Sequence, residues 1–211
     1  MRTLTEERRL AIIDAASQLF QEMGYERASM NEVAKRVGGS KATLYNYFTS
    51  KEELFETVVR THSTRFLTEA ASQLTGNNSE ALNLEQKLAQ FGEGMLQVLG
   101  GDNQAMQIYR VVVGEAGHSN IGNLFLESGI QESMEKLAQV MADAMQKGEL
   151  MEGEPMLRAK QFTSLVKAEI DVIILQRELP NFTHGQIQKM VKNSVLLFLY
   201  GALPRQEGNK K

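Results

Sequence analysis

Three helix starts crowd into twenty-two residues of this chain, at Ser29, Ser40 and Ser50. Serine caps a helix by offering its side-chain oxygen to the first free amides. Two of the three are followed three residues on by glutamate, Glu32 and Glu53, the spacing of a capping box. Starts this close leave room only for short helices. One is expected from Ser29 to about Val37 and another from Lys41 to Phe48, with Gly38-Gly39 as the turn between them. A longer helix opens at Ser50 and is expected to reach about Leu74. Upstream, Ile12, Ile13, Ala16, Leu19, Phe20 and Met23 recur at helical spacing. They predict an amphipathic helix from about Glu6 to Met23, stopped at Gly24 by a left-handed cap. Two short helices about a glycine turn, packed on a third, outline a helix-turn-helix.

The charges agree with that outline. From Val33 to Lys51 there is no acidic residue, while Lys35, Arg36, Lys41 and Lys51 are basic. The whole chain carries a net charge of −3, yet residues 1–51 hold eight Lys/Arg against six Asp/Glu, and residues 52–211 hold fifteen against twenty. A basic end on an acidic body fits a two-part DNA-binding protein. Leu44 and Phe48, four apart, are expected to face the core, which leaves Lys41, Thr43, Tyr45 and Tyr47 nearer the outside. Hydroxyls and an ammonium there can donate to phosphates and pack on sugars and thymine methyls. For either tyrosine alone, packing at the core edge is an equally good reading.

The segment Thr43-Leu44-Tyr45-Asn46-Tyr47-Phe48-x-x-Lys51-Glu52-Glu53-Leu54-Phe55 resembles the signature of TetR-family transcriptional regulators. Phe20-x-x-x-Gly24-Tyr25-x-x-Ala28-Ser29-Met30-x-x-Val33-Ala34 matches the same pattern. The resemblance covers residues 8–55 and implies an all-α fold. An N-terminal three-helix DNA-binding domain, residues 1–50, would be joined by a long helix to a helical ligand-binding and dimerisation body, residues 51–204. The polar end, residues 205–211, is expected to be a disordered tail. Carried over by position, the family's DNA contacts fall on Ser29, Ser40, Lys41, Ala42, Thr43, Tyr45, Tyr47 and Lys51. In this carry-over Lys41 and Ala42 lie nearest base edges. Ser29, Thr43 and Tyr47 hold phosphate, and Lys51 does so from the start of the next helix. Two positions depart from the family pattern. Gly39 stands where valine is common, which loosens the turn. Ala42 stands where glycine is common and offers a methyl to a thymine methyl.

Residues 52–211 read as helices, expected at about 51–74, 84–99, 103–116, 120–128, 130–147, 155–177 and 184–200. Breaks are expected at Gly76-Asn77-Asn78-Ser79, Gly100-Gly101-Asp102, Gly117, Gly148 and Pro180-Asn181. The last two helices are dense in apolar residues, among them Phe162, Val166 and Ile173, then Val191, Val195 and Leu197. Either they form a fully buried core, or they form the seam of a homodimer; the family resemblance implies the seam. Two reading heads related by a two-fold axis then meet a palindromic operator at successive major grooves, about 34–36 Å apart or more. Methionines in the central helices, with Phe66, Phe91, Met95, Met106, Tyr109, Phe125 and Phe162, form either ordinary core or, as the resemblance implies, the lining of an effector pocket. Arg110, a charge inside an apolar run, is expected to pair with Glu115 or Glu169 or to meet an acidic ligand. Ile108-Tyr109-Arg110-Val111-Val112, with Glu115-Ala116 and Gly148-Glu149-Leu150, is similar to the C-terminal domain of AefR-like repressors, many of whose relatives control efflux operons.

Other classes find less support. The chain has no cysteine, hence no disulfide and no thiolate chemistry. Its start has no signal-peptide pattern, and no apolar run reaches the ~18 residues of a membrane span, so a cytoplasmic location is expected. Glu115-x-x-His118 has the spacing of half a di-iron site, but no second such pair exists and Gly117 interrupts it. No catalytic residues, metal or cofactor are therefore expected. The sequence reading is a homodimeric repressor released from its operator by a small hydrophobic or amphipathic molecule. An architectural DNA-binding protein on the same fold, or a helical-bundle metal enzyme, are the alternatives.

Overall fold

A computed structural model of the chain describes residues 5–75, 81–99 and 104–202, without the side chains of Leu99, Glu169 and Ile170. The expected breaks at Gly76–Ser79 and Gly100–Asp102 and the tail 205–211 lie outside these residues. All described elements are helical. The first four are α1 (Glu6–Met23), α2 (Met30–Arg36), α3 (Lys41–Tyr45) and α4 (Lys51–His62). They are followed by α5 (Arg65–Gln73), α6 (Leu84–Leu96) with a tight turn over Gln97–Leu99, and α7 (Gln104–Glu115). After α8 (Ile121–Phe125) the chain kinks through Leu126–Ile130 into α9 (Gln131–Gln146), then α10 (Pro155–Ile173) and α11 (His184–Tyr200).

The three serine caps form. The hydroxyls of Ser29, Ser40 and Ser50 accept from the amides of Glu32, Thr43 and Glu53 at 3.3, 3.1 and 3.1 Å. At Ser29 the box is reciprocal, with Glu32 accepting from the Ser29 amide at 2.9 Å. At Ser50 it is not. The Glu53 carboxylate reaches one residue further back, accepting from the Thr49 amide and hydroxyl at 2.7 and 2.6 Å. α1 stops at Gly24, whose φ is +83°, but its ψ of 165° is extended rather than left-handed helical.

Three boundaries differ from expectation. α3 ends at Tyr45 because the amides of Asn46 and Tyr47 bond only three residues back, to Thr43 and Leu44. The expected helix 51–74 is broken at Ser63–Thr64. There the Thr64 hydroxyl donates to the carbonyl of Ser128 at 2.9 Å, and the amides of Ser63 and Thr64 both turn to Val59. Hydroxyl side chains offer the backbone such alternatives to a continuous helix. The partner in this break is itself bent, with Ser128 at ψ 18° and Gly129 at φ +117°. α10 ends at Ile173 rather than 177, its last turn closed by short-range bonds from Leu175 and Gln176.

Two apolar cores result. The first joins α1–α4 to α7 and α8 and is centred on Phe20, Tyr25 and Phe55, whose ring centroids lie 5.0 to 5.6 Å apart. The second packs α5, α6, α9, α10 and α11 around Leu88, Phe91, Leu137, Met141, Phe162 and Val191. α7 belongs to both, through Ile108 and Val112 in the first and Met106 in the second. α10 and α11 do not bury all their apolar residues: Leu157, Val172, Leu197 and Tyr200 are each 40% or more exposed.

Candidate nucleic-acid interface

α2 ends in paired backbone bonds, from Gly39 to Ala34 and from Gly38 to Lys35, with Gly38 at φ +70°. This is a Schellman closure, and it needs a residue tolerant of positive φ at Gly38. The turn delivers the chain to Ser40, which caps α3. α3 is held from below by Leu44 and, just past its end, by Phe48, exposed by only 2% and 1%. Lys41, Ala42 and Tyr45 are exposed, and Thr43 and Tyr47 half-buried. The Lys41 ammonium sits 5.7 Å from the Tyr45 ring centre. Lys41, Ala42 and Tyr45 thus face solvent from a short helix seated by Leu44 and Phe48.

Their polar atoms are not all equally available. Tyr47 accepts from the Thr5 amide at 3.1 Å, so its own hydroxyl proton is left to donate outward. The Ser29 hydroxyl donates to Glu32 at 2.8 Å, and Ser40 and Thr43 share a hydroxyl–hydroxyl bond of 2.9 Å. Arg36 is engaged by Glu22 in a two-pronged pair at 2.8 and 2.6 Å. That pairing lowers the Glu22 carboxyl below its ordinary range.

Lys51 departs most from its expected place. Its ammonium turns inward, donating to the carbonyls of Tyr25, Glu26 and Ala28 at 3.0, 3.4 and 3.3 Å, and lies 4.2 Å from the Tyr25 ring centre. An ammonium has three donors, and all three point into the loop between α1 and α2. Tyr25 itself is kept a neutral phenol, its pKa raised chiefly by burial and then by the nearby Glu52 and Glu26 charges. Lys51 therefore clips that loop onto the start of α4. Lys51→Ala is expected to lower stability by about 1–3 kcal/mol, since three carbonyls lose their donor, with a matching fall in the thermal midpoint. An unchanged midpoint alongside weaker DNA binding would instead return this ammonium to a phosphate.

α7 ties the reading head to the body at both ends. Gln104 donates to Ser17 of α1 at 2.9 Å, and Glu115 accepts from the Glu26 amide at 3.0 Å. Between them Arg110 donates to the carbonyl of Ile174 at 3.0 Å and to that of Gln176. The expected pairing of Arg110 with Glu115 is thus corrected, because Glu115 faces the head, while carbonyls freed by the end of α10 take up the guanidinium. The Glu169 side chain lies outside the described set.

The expected effector-pocket residues do not gather in one place. Phe91, Met106 and Phe162 are fully buried in the second core, with Met95 and Tyr109 packed against it. Phe125 packs on the first core, and its ring meets Tyr109 at 5.6 Å. Phe66 is half-buried beneath the Arg65 guanidinium. The side chains of Tyr109 and Phe125 therefore bridge the two cores. Among the described residues no three His, Asp or Glu group as metal ligands, and no helix is long and apolar enough to cross a membrane.

Residues 12–58 match the bacterial regulatory proteins of the tetR family, and residues 86–201 match the C-terminal domain of AefR-like transcriptional repressors. This chain belongs to the TetR family. It is 30% identical to the flavonoid-responsive regulator FrrA, over 96% of this chain and 100% of that one, with a TM-score of 0.66. It is 24% identical to the fatty acid metabolism regulator protein of Bacillus subtilis, over 72% of this chain and 75% of that one. The regulator FadR from Bacillus subtilis, solved with stearoyl-CoA, shares the fold at a TM-score of 0.71 and 18% identity, over 92% of this chain and 99% of that one. As a TetR-family transcriptional regulator, this protein presents α2 and α3 as its helix-turn-helix.

Proposed function

We propose that this regulator is a homodimeric repressor that leaves a palindromic operator when an amphipathic small molecule binds its body. The observation that carries the reading is the bonding of α7. One helix holds α1 through Gln104, the loop after α1 through Glu115, and the end of α10 through Arg110. A ligand that favours one setting of α7 over another changes the head's position by its differential affinity for the two settings, typically about 1–3 kcal/mol of coupling. Two relatives support the effector class, since one is named for flavonoids and one was solved with stearoyl-CoA. Both are amphipathic molecules with a large apolar part.

In the proposed reading, Lys41 and Ala42 face base edges, and Tyr47 and Thr43 hold phosphate beside Ser29, Ser40 and Tyr45. The exposed apolar strip of α10 and α11 supports the dimer. The test begins by selecting duplexes from genomic DNA with the purified full chain. Stearoyl-CoA and a representative flavonoid are then added to the bound fragments. Release by either supports the reading; tight binding that no amphipath perturbs favours the architectural alternative. The genes flanking the fragments decide between an efflux operon and a lipid-metabolism operon. Tyr47→Ala is expected to weaken all duplexes alike, and Lys41→Ala to alter sequence preference as well, each by about 1–3 kcal/mol. Unchanged binding in both variants would displace α3 as the reader.

A further inference from the structure

The turn before α3 carries a cation that the helix-turn-helix pattern does not include. Gly39 has no side chain, and a Cβ built there would lie 2.8 Å from Nη2 of Arg8. The guanidinium of Arg8 therefore fills the berth left by the missing side chain. Its place follows from how α1 begins. Thr5 caps α1 and its amide donates to the Tyr47 hydroxyl. Arg9 then lies over the Phe48 ring at 5.3 Å, with Glu6 pairing at 3.8 Å. The first turn of α1 thus crosses the flank of α3, meeting Tyr47 past its C-terminal end and Gly39 before its N-terminal end. Arg8 is half-exposed, and among the described residues no carboxylate forms an ion pair with it.

This matters because two other cations of the head are engaged elsewhere. Arg36 is paired with Glu22, and Lys51 is held by three carbonyls. We infer that Arg8, seated over Gly39, is a DNA-backbone contact that flanks α3 and adds a positive charge to that of Lys41. Glycine at position 39 is what lets it reach there. A planar guanidinium presents paired donors that suit a phosphate. Without a base edge in reach, the contact holds register and affinity rather than sequence.

The inference rests on the reading of α3 as the DNA-reading helix, and the experiment separates the two. Fluorescence anisotropy is measured over a range of salt with the full-length chain, on a selected genomic fragment and on a scrambled duplex of equal length. Arg8→Ala is expected to weaken both duplexes by about tenfold and to flatten the salt dependence by about one unit per protomer. Gly39→Val fills the berth and is expected to do the same. Gly39→Ala serves as the milder control for folding, because the atom it meets is the movable end of a long side chain. The double variant Arg8→Ala with Gly39→Val is expected to be no weaker than Arg8→Ala alone. An Arg8→Ala protein with unchanged affinity and slope, while Lys41→Ala still alters binding, overturns this inference and leaves the reading of α3 standing. Losses that add fully in the double variant overturn the berth. Failure of Lys41→Ala and Tyr47→Ala alike points instead to the parent reading.

Discussion

Leu197→Asp is expected to turn the protein into a soluble, folded monomer whose operator affinity falls by about 100- to 10,000-fold, the loss that follows when two linked half-sites bind independently. The reason is where α11 points its side chains. Phe198 packs inward on Phe162 at 5.4 Å, whereas Leu197 is 40% exposed and borders a groove formed with Leu157 and Leu165 of α10. An exposed carboxylate costs the lone protomer little. Buried between two copies, it would be a desolvated carboxylate on each side of the seam, a cost that Arg158 and Lys160 in the same groove offset only in part. Sedimentation velocity reads the mass, and binding to whole and half operators reads the consequence. A dimer that survives with full affinity would place the seam on another face.

Phe55→Ala is expected to be the most damaging single truncation in the reading head, at about 3–5 kcal/mol. Phe55 is fully buried and meets Phe20 and Tyr25 at 5.4 and 5.0 Å. The core it anchors also contains Ile108 and Val112 of α7, so the damage should not stop at the end of α4. Hydrogen exchange is expected to lose protection across α1–α4 and along α7, and to keep it in α9–α11, whose packing lies in the second core. Protection kept in α7 while the head opens would mean that the two cores are not mechanically joined. It would also remove the route by which an effector is proposed to reach DNA.

Helix starts, core-facing residues and the family could be read from sequence because each depends on neighbours a few residues away. Ser29, Ser40 and Ser50 cap their own next turns, and Leu44 and Phe48 face inward because helical spacing puts them on one side. Splitting of the helix expected over 51–74 could not be read this way. Thr64 breaks it by bonding to Ser128, a residue from the distant kink before α9. The bonds of Arg110 to carbonyls at the end of α10 could not be read from sequence for the same reason, since a backbone acceptor has no sequence signature.

The charges show the division most plainly. A count along the chain finds Lys35, Arg36, Lys41 and Lys51 in one acid-free stretch, and that count determined that the head is basic. Local chemistry determined more: caps, amphipathic spacing and the glycine turn specify a helix-turn-helix whatever surrounds it. Only the tertiary structure decided which cations face outward. Packing of α1 against α2 gives Arg36 to Glu22, the start of α4 draws Lys51 into the loop carbonyls, and the absence of a side chain at Gly39 opens a place for Arg8. A charge belongs to a residue, but its partner is set by distances across the fold, and Coulomb and hydrogen-bond energies act over those distances rather than along the chain.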